Sequence, residues 1–434
     1  MIPKIELATT QEIKALQEQK LSELMLYLKE KSPFYQSVFS QHNIDVANIK
    51  TLESLQQIPV TTKTDLQLHN KDFFCVPASE IIDYPTTSGT LGKPVSFGLT
   101  DNDLERLAYN EAISLACAGI KKGDVVQLMT TIDRRFVAGL AYFLGLRKLG
   151  AGSIRIGAGT PQLQWDSILE NQPKYLIAVP SFLLKMIEYA EANDIDYQGS
   201  SVQAVVCIGE ALRNQDLSDS ILAEKIKAKW NIQLYSTYAS TEMSTAFTEC
   251  EFQKGGHHHP ELIITEVLDD NNQPVSEGEL GELTITTLGV EAMPLLRFKT
   301  GDMVQFFSEK CPCGRNTQRV GPVLGRKEQM IKYKGTTIYP PAIYDLLKFF
   351  DQIQLYLIEL YTNEIGNDEI LIRVASADTS SQFLNQIKEY LQSKLRVTPK
   401  VEFADFTSLK KIVFNPLSRK PIYLVDKRNK KMFL

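Results

Sequence analysis

The chain has 434 residues, 47 of them Lys or Arg and 52 Asp or Glu, for a formal charge of −5. Hydrophobic residues make up 43% and charged residues 23%, the proportions of a globular protein with room for two or three domains. These figures exclude collagen-like, coiled-coil and disordered classes, and the acidic balance argues against nucleic acid as a partner.

No apolar run approaches the roughly 18 residues of a membrane span, so no membrane partner is expected. The start, MIPKIELATTQEIK, lacks the apolar core of a signal peptide. The expected setting is cytoplasmic. Disulfide frameworks belong to short secreted chains. Cys75, Cys117 and Cys207, set among apolar neighbours, are therefore expected as small core residues.

Ile13, Leu16, Leu21, Leu24 and Leu28 recur at helical spacing and predict a helix over 11–32. Pro33, Pro59 and Thr61-Thr62 break the next stretch of chain into short helices and loops. Residues 81–84 and 95–99 read as short strands around a loop at 85–94. Asp101 reads as the cap of a helix reaching about 118. Strands at 124–130, 150–156, 175–179 and 202–208 then alternate with helices at 136–149, 164–171, 181–193 and after Leu212. That rhythm predicts a mostly parallel sheet with helices on both faces. Segments 262–268, 281–287 and 303–307 read as antiparallel strands. Beyond 325–328 come a helix at 341–350, strands at 354–362 and 368–375, a helix at 381–395 and a strand at 400–406. The expected class is α/β: a large N-terminal domain at 1–325, with mostly parallel sheets plus a β-rich part, and a small α+β C-terminal domain at 326–434.

The first chemical signal is Thr86-Thr87-Ser88-Gly89-Thr90-Leu91-Gly92-Lys93-Pro94. Two glycines free the backbone so that amide N–H groups can converge on one point. The hydroxyls add donors and Lys93 adds a positive charge, a set suited to a polyphosphate. It is not a Walker A loop, because Pro94 stands where a Ser or Thr would hold magnesium. The same residues would also serve as a polar turn between two strands.

This loop resembles the phosphate loop of the adenylate-forming enzymes, the superfamily of acyl-CoA synthetases, luciferases and nonribosomal adenylation domains. Four further segments match that superfamily in order: Gly209-Glu210-Ala211, Tyr238-Ala239-Ser240-Thr241-Glu242, Arg297-Phe298-Lys299-Thr300-Gly301-Asp302, and the stretch from Gly325-Arg326 to Lys334-Gly335. Within the superfamily the chain is most similar to phenylacetate–CoA ligases. Ser32-Pro33-Phe34-Tyr35, Ile58-Pro59-Val60-Thr61-Thr62-Lys63 and Cys311-Pro312-Cys313-Gly314-Arg315 carry that closer likeness.

The resemblance implies an AMP-forming acid–CoA ligase with a mobile C-terminal domain, taking ATP, Mg²⁺, CoA and a small carboxylic acid. It assigns Thr87, Ser88, Gly89, Thr90, Gly92 and Lys93 to the phosphates. Gly209, Glu210 and Ala211 fall to the adenine side, with Tyr238, Ala239 and Ser240 beside the nucleotide. Thr241 and Glu242 fall to Mg²⁺, a hard cation that needs few protein oxygens. Asp302 is assigned to the ribose hydroxyls, Arg326 to the nucleotide from the hinge, and Glu328 to the pivot. Lys332 and Gly335 line the path of the thiol arm. Aligned on Val425-Asp426 and Arg428, Lys420 takes the place of the catalytic lysine; a shifted register would nominate Lys411 or Lys427. The basic run 427–431 reads as a solvated end or as a partner of the CoA phosphate.

Resemblance places the acyl pocket between the helix opening at Phe136 and the strand around Tyr235. Phe136, Val137, Gly139, Tyr235 and Tyr238 suit a small aryl or aliphatic acid, or else ordinary core packing. The charged run Ile132-Asp133-Arg134-Arg135 lies beside them. Cys250, Cys311, Cys313 and the run His257-His258-His259 are the concentrations of Cys and His. Three thiolates and one imidazole would close a tetrahedral structural zinc site, and free thiols at a surface turn are the alternative. Some relatives with the same pattern point to His257 as the fourth ligand. Relatives that are dimers make a homodimer one option. Two other readings compete: an adenylating enzyme that loads a carrier protein or another acceptor, and a non-catalytic nucleotide-binding regulator.

Overall fold

The computed structural model describes residues 2–87, 95–363, 366–415 and 421–428. They divide into two units, one of residues 1–219 and 223–323, the other of 220–222 and 324–434. Among the described residues no helix is long and apolar enough to cross a membrane.

The first long helix is Thr10–Lys31. Thr9 caps it, with Oγ1 accepting from Glu12 N while Glu12 Oε2 accepts from Thr9 N at 2.8 Å. Its buried stripe is Ile13, Gln17, Leu21, Leu24, Met25 and Leu28. Pro33 starts the next helix, Pro33–Gln41, rather than simply breaking the chain, since a first-turn proline sacrifices no intrahelical bond. Thr100, not Asp101, is the cap of Asp101–Cys117; Asp103 completes its capping box.

Residues 81–84 and 95–99 do not become regular strands. They meet at two isolated antiparallel bridges, Asp83 with Leu99 and Thr86 with Ser96. Pro85 lacks an N–H, and the N–H groups of Ile82 and Asp83 both turn to Leu99 O, so no continuous ladder forms.

Five parallel strands form the frame of the site. They lie in the order Gly152–Arg155, Val125–Leu128, Tyr175–Ala178, Ala204–Cys207 and Gln233–Ser240. Tyr175–Ala178 and Ala204–Cys207 are buried along their whole length, as their apolar runs predict for strands covered on both faces. The sheet continues antiparallel through Thr245–Thr248, Gly256–His257, Arg319–Val320 and Phe306–Phe307. The helix expected soon after Leu212 starts only at Ile221. Before it, buried Arg213 draws the chain into a turn by pairing with both Glu249 and Asp219.

A second group of strands, Ile263–Leu268, Gly281–Thr287 and Phe298–Val304, pairs antiparallel. The last begins earlier than the expected 303. Its register breaks between Lys299 and Met303, so Thr300-Gly301-Asp302 forms a bulge.

The C-terminal unit has a four-stranded sheet ordered Lys400–Phe403, Asp368–Ser376, Ile353–Thr362 and Leu424–Asp426. The helix Ser381–Leu395 buries Phe383, Ile387, Leu391 and Leu395 in that unit's core. Residues 404–406 do not extend the last expected strand. Asp405 instead caps an unforeseen helix, Phe406–Val413, accepting from Ser408 N at 2.8 Å.

Candidate active site

The loops that leave the carboxyl ends of two adjacent parallel strands carry two of the segments singled out in the sequence, at the position where open α/β sheets bind ligands. Gly209-Glu210-Ala211 follows Ala204–Cys207, and Thr241-Glu242 follows Gln233–Ser240. Cys207 pairs with Ser236 across the two strands, so the Gly209 turn leaves the sheet level with Tyr238 and the Thr241-Glu242 turn follows a few residues farther along the neighbouring strand. Gly209 has φ +77, and a Cβ there would meet nothing within 4 Å, so its glycine answers the backbone and leaves open space. Glu210 is already engaged: its Oε2 accepts from Ser181 N at 2.9 Å. It anchors the turn to the N-terminus of the helix Pro180–Ala192.

Thr241 and Glu242 sit in the tight turn before Thr245–Thr248, where Ser240 Oγ accepts from Met243 N at 3.3 Å. Both are half-buried, and among the described residues no side chain pairs with the Glu242 carboxylate. Asp302 reaches the same strand from the bulge. Its Oδ2 accepts from Tyr238 Oη at 2.7 Å, and Thr300 Oγ1 accepts from its N–H. Ala239 is exposed and Ser240 half-buried on this strand.

Thr87 closes the base of the expected phosphate loop: its N–H donates to Val95 O and its Oγ1 accepts from Val95 N, both at 3.0 Å. Ser88, Gly89, Thr90, Gly92 and Lys93 lie outside the described residues. Arg135 holds the same base, a role the sequence did not signal. Its carbonyl accepts from Thr86 N at 3.0 Å, its Nε donates to Tyr84 O at 2.6 Å and its Nη2 to Ser96 Oγ at 3.0 Å. Arg134 and Arg135 both have φ 58, a conformation uncommon for arginine. The charge of this run is therefore turned toward the loop base at Arg135.

Phe136 is half-buried just before the helix Val137–Leu149. Gly139 is a packing residue: a Cβ there would come within 2.0 Å of Thr131 O, so its space is filled by backbone. Tyr235 belongs to a core cluster with Leu128, Tyr142, Tyr175 and Val206.

In the C-terminal unit, Arg326 is half-buried and Glu328 exposed. Lys332 is exposed on a two-strand hairpin, Ile331–Tyr333 with Thr336–Ile338. Lys334 and Gly335, with φ +49 and +80, form its two-residue turn. Lys420 lies outside the described residues. Lys427 is engaged with Glu359 Oε1 at 2.7 Å and Tyr361 Oη at 3.2 Å. Lys411 is exposed in the last turn of Phe406–Val413. The Arg428 side chain is held among carboxylates and carbonyls, so neither 427 nor 428 offers an uncommitted charge to a phosphate.

Cys250, His257, Cys311 and Cys313 come together from segments some sixty residues apart, with one ligand atom from each all within 4.8 Å of one another. Cys250 Sγ lies 3.6 Å from Cys311 Sγ and 3.3 Å from His257 Nε2, which is 3.5 Å from Cys313 Sγ. A tetrahedral zinc with ordinary bond lengths needs edges of roughly 3.8 Å between sulfurs and 3.6 Å from sulfur to nitrogen, so the donors fit. Burial pushes the His257 imidazole down to about 3, leaving it neutral, the form that ligates. Its Nδ1 faces Thr317 Oγ1 at 3.4 Å. The other two histidines are used elsewhere: His258 Nε2 contacts Ile263 O, and His259 lies between Glu6 and Ser114. Buried Arg315 donates from Nη1 to Cys313 Sγ and from Nε to Glu6 Oε2. Glu6 is more than three hundred residues away in sequence, and no local pattern marked it.

Residues 9–292 match the family model described as AMP-binding enzyme. The chain is 31% identical over 398 residues to a phenylacetate-coenzyme A ligase of Thermus thermophilus, covering 90% of this chain and 87% of that one. It is 26% identical over 424 residues to the phenylacetate-coenzyme A ligase of Escherichia coli, covering 93% and 94%. Among solved structures, a 2-hydroxyisobutyryl-CoA ligase in the postadenylation state, in complex with 2-HIB-AMP, has the same fold. It gives a TM-score of 0.83 at 24% identity, covering 98% of this chain and 91% of that one.

Proposed function

The chain belongs to the AMP-binding enzyme family, in its phenylacetate-coenzyme A ligase branch, and from that membership we propose how its side chains divide the work of an AMP-forming acid–CoA ligase. The reaction joins an acid to CoA at the expense of ATP, through an acyl-adenylate, releasing diphosphate and AMP.

In the first step the acid's carboxylate oxygen attacks the α-phosphorus and the bond to diphosphate breaks. Two anions must approach, and the Lys420 ammonium offsets their repulsion at low dielectric. Residues 86–93 hold the β- and γ-phosphates through backbone N–H groups, hydroxyls and Lys93. Asp302, kept in place by Tyr238, accepts from the ribose hydroxyls, and the turn at Gly209-Glu210-Ala211 lies along the adenine. Thr241 and Glu242 would hold Mg²⁺, which would neutralise phosphate charge. In the second step the CoA sulfur attacks the acyl carbonyl carbon and AMP leaves. The C-terminal domain turns about Arg326 and Glu328 between the steps. The turn withdraws Lys420 and brings Lys332 and Gly335 beside the thiol arm, so the anhydride is kept from water.

The substrate we infer is a small aryl or aliphatic acid. Phe136 and Val137 offer apolar surface, and the Arg135 guanidinium is spent on Tyr84 O and Ser96 Oγ. Cys250, His257, Cys311 and Cys313 would hold Zn²⁺. All four tetrahedral positions are then filled by protein, so the ion would brace the fold and activate no water.

The observation that carries the reading is that the Gly209 turn and the Thr241-Glu242 turn leave neighbouring parallel strands, and that Asp302 is fastened to the second of those strands through Tyr238. The test is diphosphate release across a panel of aryl and short-chain acids, with and without CoA. Acid-dependent release with thioester formed only when CoA is present is expected. Replacing Lys420 by Ala should abolish adenylation and leave thioester formation from supplied acyl-AMP largely intact. Equal loss of both steps would remove Lys420 from its role.

A further inference from the structure

Arg428 is a basic residue in a near-terminal run that the reaction scheme leaves unused. Its side chain is only 8% exposed. Nε and Nη2 donate to Asp426 Oδ1 and Oδ2 at 2.9 and 2.7 Å, and Nη1 donates to Asp368 Oδ2 at 2.8 Å. The same fork reaches two backbone carbonyls beside the expected pivot, Met330 O at 2.8 Å and Glu328 O at 3.4 Å. Asp368 Oδ2 also accepts from Lys332 N at 2.9 Å, on the hairpin that carries Gly335. Three segments that are distant in sequence (328–332, 368 and 426–428) therefore meet on one guanidinium.

This junction matters because the strand it fastens is short. Leu424–Asp426 pairs with Ile353–Thr362 over three residues and lies at the edge of its sheet. Three residues at an edge are a marginal attachment. A buried guanidinium with two carboxylates adds charge-assisted, two-pronged bonds that lysine cannot reproduce.

We propose that Arg428, held by Asp368 and Asp426, is the positioning residue that locks the last strand to the hinge segment, so that the strand following Lys420 turns with the hinge as one body. The inference rests on Lys420 acting in the adenylation step. Arg428 touches no substrate in this scheme; it acts through the geometry of the strand that follows Lys420.

The test compares the two half-reactions in Arg428→Lys, Arg428→Gln and Asp368→Asn, with hydrogen exchange read at 328–332 and 424–427. Acid-dependent exchange of diphosphate into ATP should fall at least tenfold in kcat, with KM for ATP within about twofold. Thioester formation from supplied acyl-AMP should fall at least fivefold less than adenylation, since the pairing of 331–333 with 336–338 loosens at one end but does not itself depend on Arg428. Hydrogen exchange should rise at both segments together. The two substitutions at 428 should resemble each other, because charge without the fork does not rebuild the junction. Parallel loss of both half-reactions, or unchanged exchange at 328–332, would overturn the proposal. Asp368→Asn, which keeps Arg428 and Asp426, guards against loss of the fold. Lys420→Ala is run beside them. If it retains adenylation, the Lys420 reading falls, and the junction itself is then decided by hydrogen exchange alone.

Discussion

Tyr238 Oη donates to Asp302 Oδ2 at 2.7 Å across 64 residues of sequence, tying a strand of the parallel sheet to a bulge in the antiparallel one. The bond aims a buried carboxylate suited to accept from ribose hydroxyls. Tyr238→Phe should raise KM for ATP by about 3–10-fold with kcat little changed, the size expected for one bond to a charged group. Asp302→Ala should cost roughly 100-fold in kcat/KM for ATP. Steady-state diphosphate release reads both, and a Tyr238→Phe effect confined to kcat would argue against an aiming role.

The Arg135 side chain makes two hydrogen bonds to the base of the loop at 86–93, beside one accepted by its backbone carbonyl, but it is exposed and each bond is worth about 1 kcal/mol. Arg135→Gln should raise KM for ATP about 3–10-fold and leave the thermal midpoint within about a degree. If the residue lined the acid pocket, the variant would change the ranking of acids instead.

Glu111 is buried, with Asn110 Nδ2 donating to its Oε1 at 3.2 Å, and burial pushes its carboxyl up to about 8 from an ordinary 4.5. In that window the folded chain keeps a proton that the unfolded chain has lost. Stability should therefore fall as pH rises from about 4.5 to about 8 and level off beyond, by on the order of 4 kcal/mol. Glu111→Gln keeps an acceptor for Asn110 and removes the titration. Its melting temperature should exceed the parent's at pH 8 and approach it near pH 5. Equal pH dependence of the two proteins would exclude Glu111 as the source.

Zinc at Cys250, His257, Cys311 and Cys313 should appear as about one ion per chain by elemental analysis, released when the thiols are modified. Removing it, or changing Cys311 to Ser, should lower the melting temperature by several degrees, because two distant segments lose their common tether. KM for the acid should not change at temperatures where the metal-free protein stays folded. A metal-free preparation with an unchanged melting temperature would leave the cluster without its bracing role.

Much of this molecule was written in local chemistry. The apolar runs at 175–179 and 202–208, the helical stripe through Ile13, Leu21 and Leu28, and the ordered motifs ending in Thr241-Glu242, Asp302 and Gly335 each depend on neighbours a few residues away. Periodicity and motif spacing report such features directly. The cap at Thr100, the irregular pairing around Pro85 and the helix opened by Asp405 were missed because competing side-chain and backbone bonds set the last residue of an element. Arg135 on Tyr84 O, Arg428 on Met330 O, Glu6 on Arg315 and Glu210 on Ser181 N were decided by the tertiary structure alone. Each is a long side chain reaching a backbone or charged partner that only packing delivers, and an arginine or glutamate carries no local mark of where its charge will end.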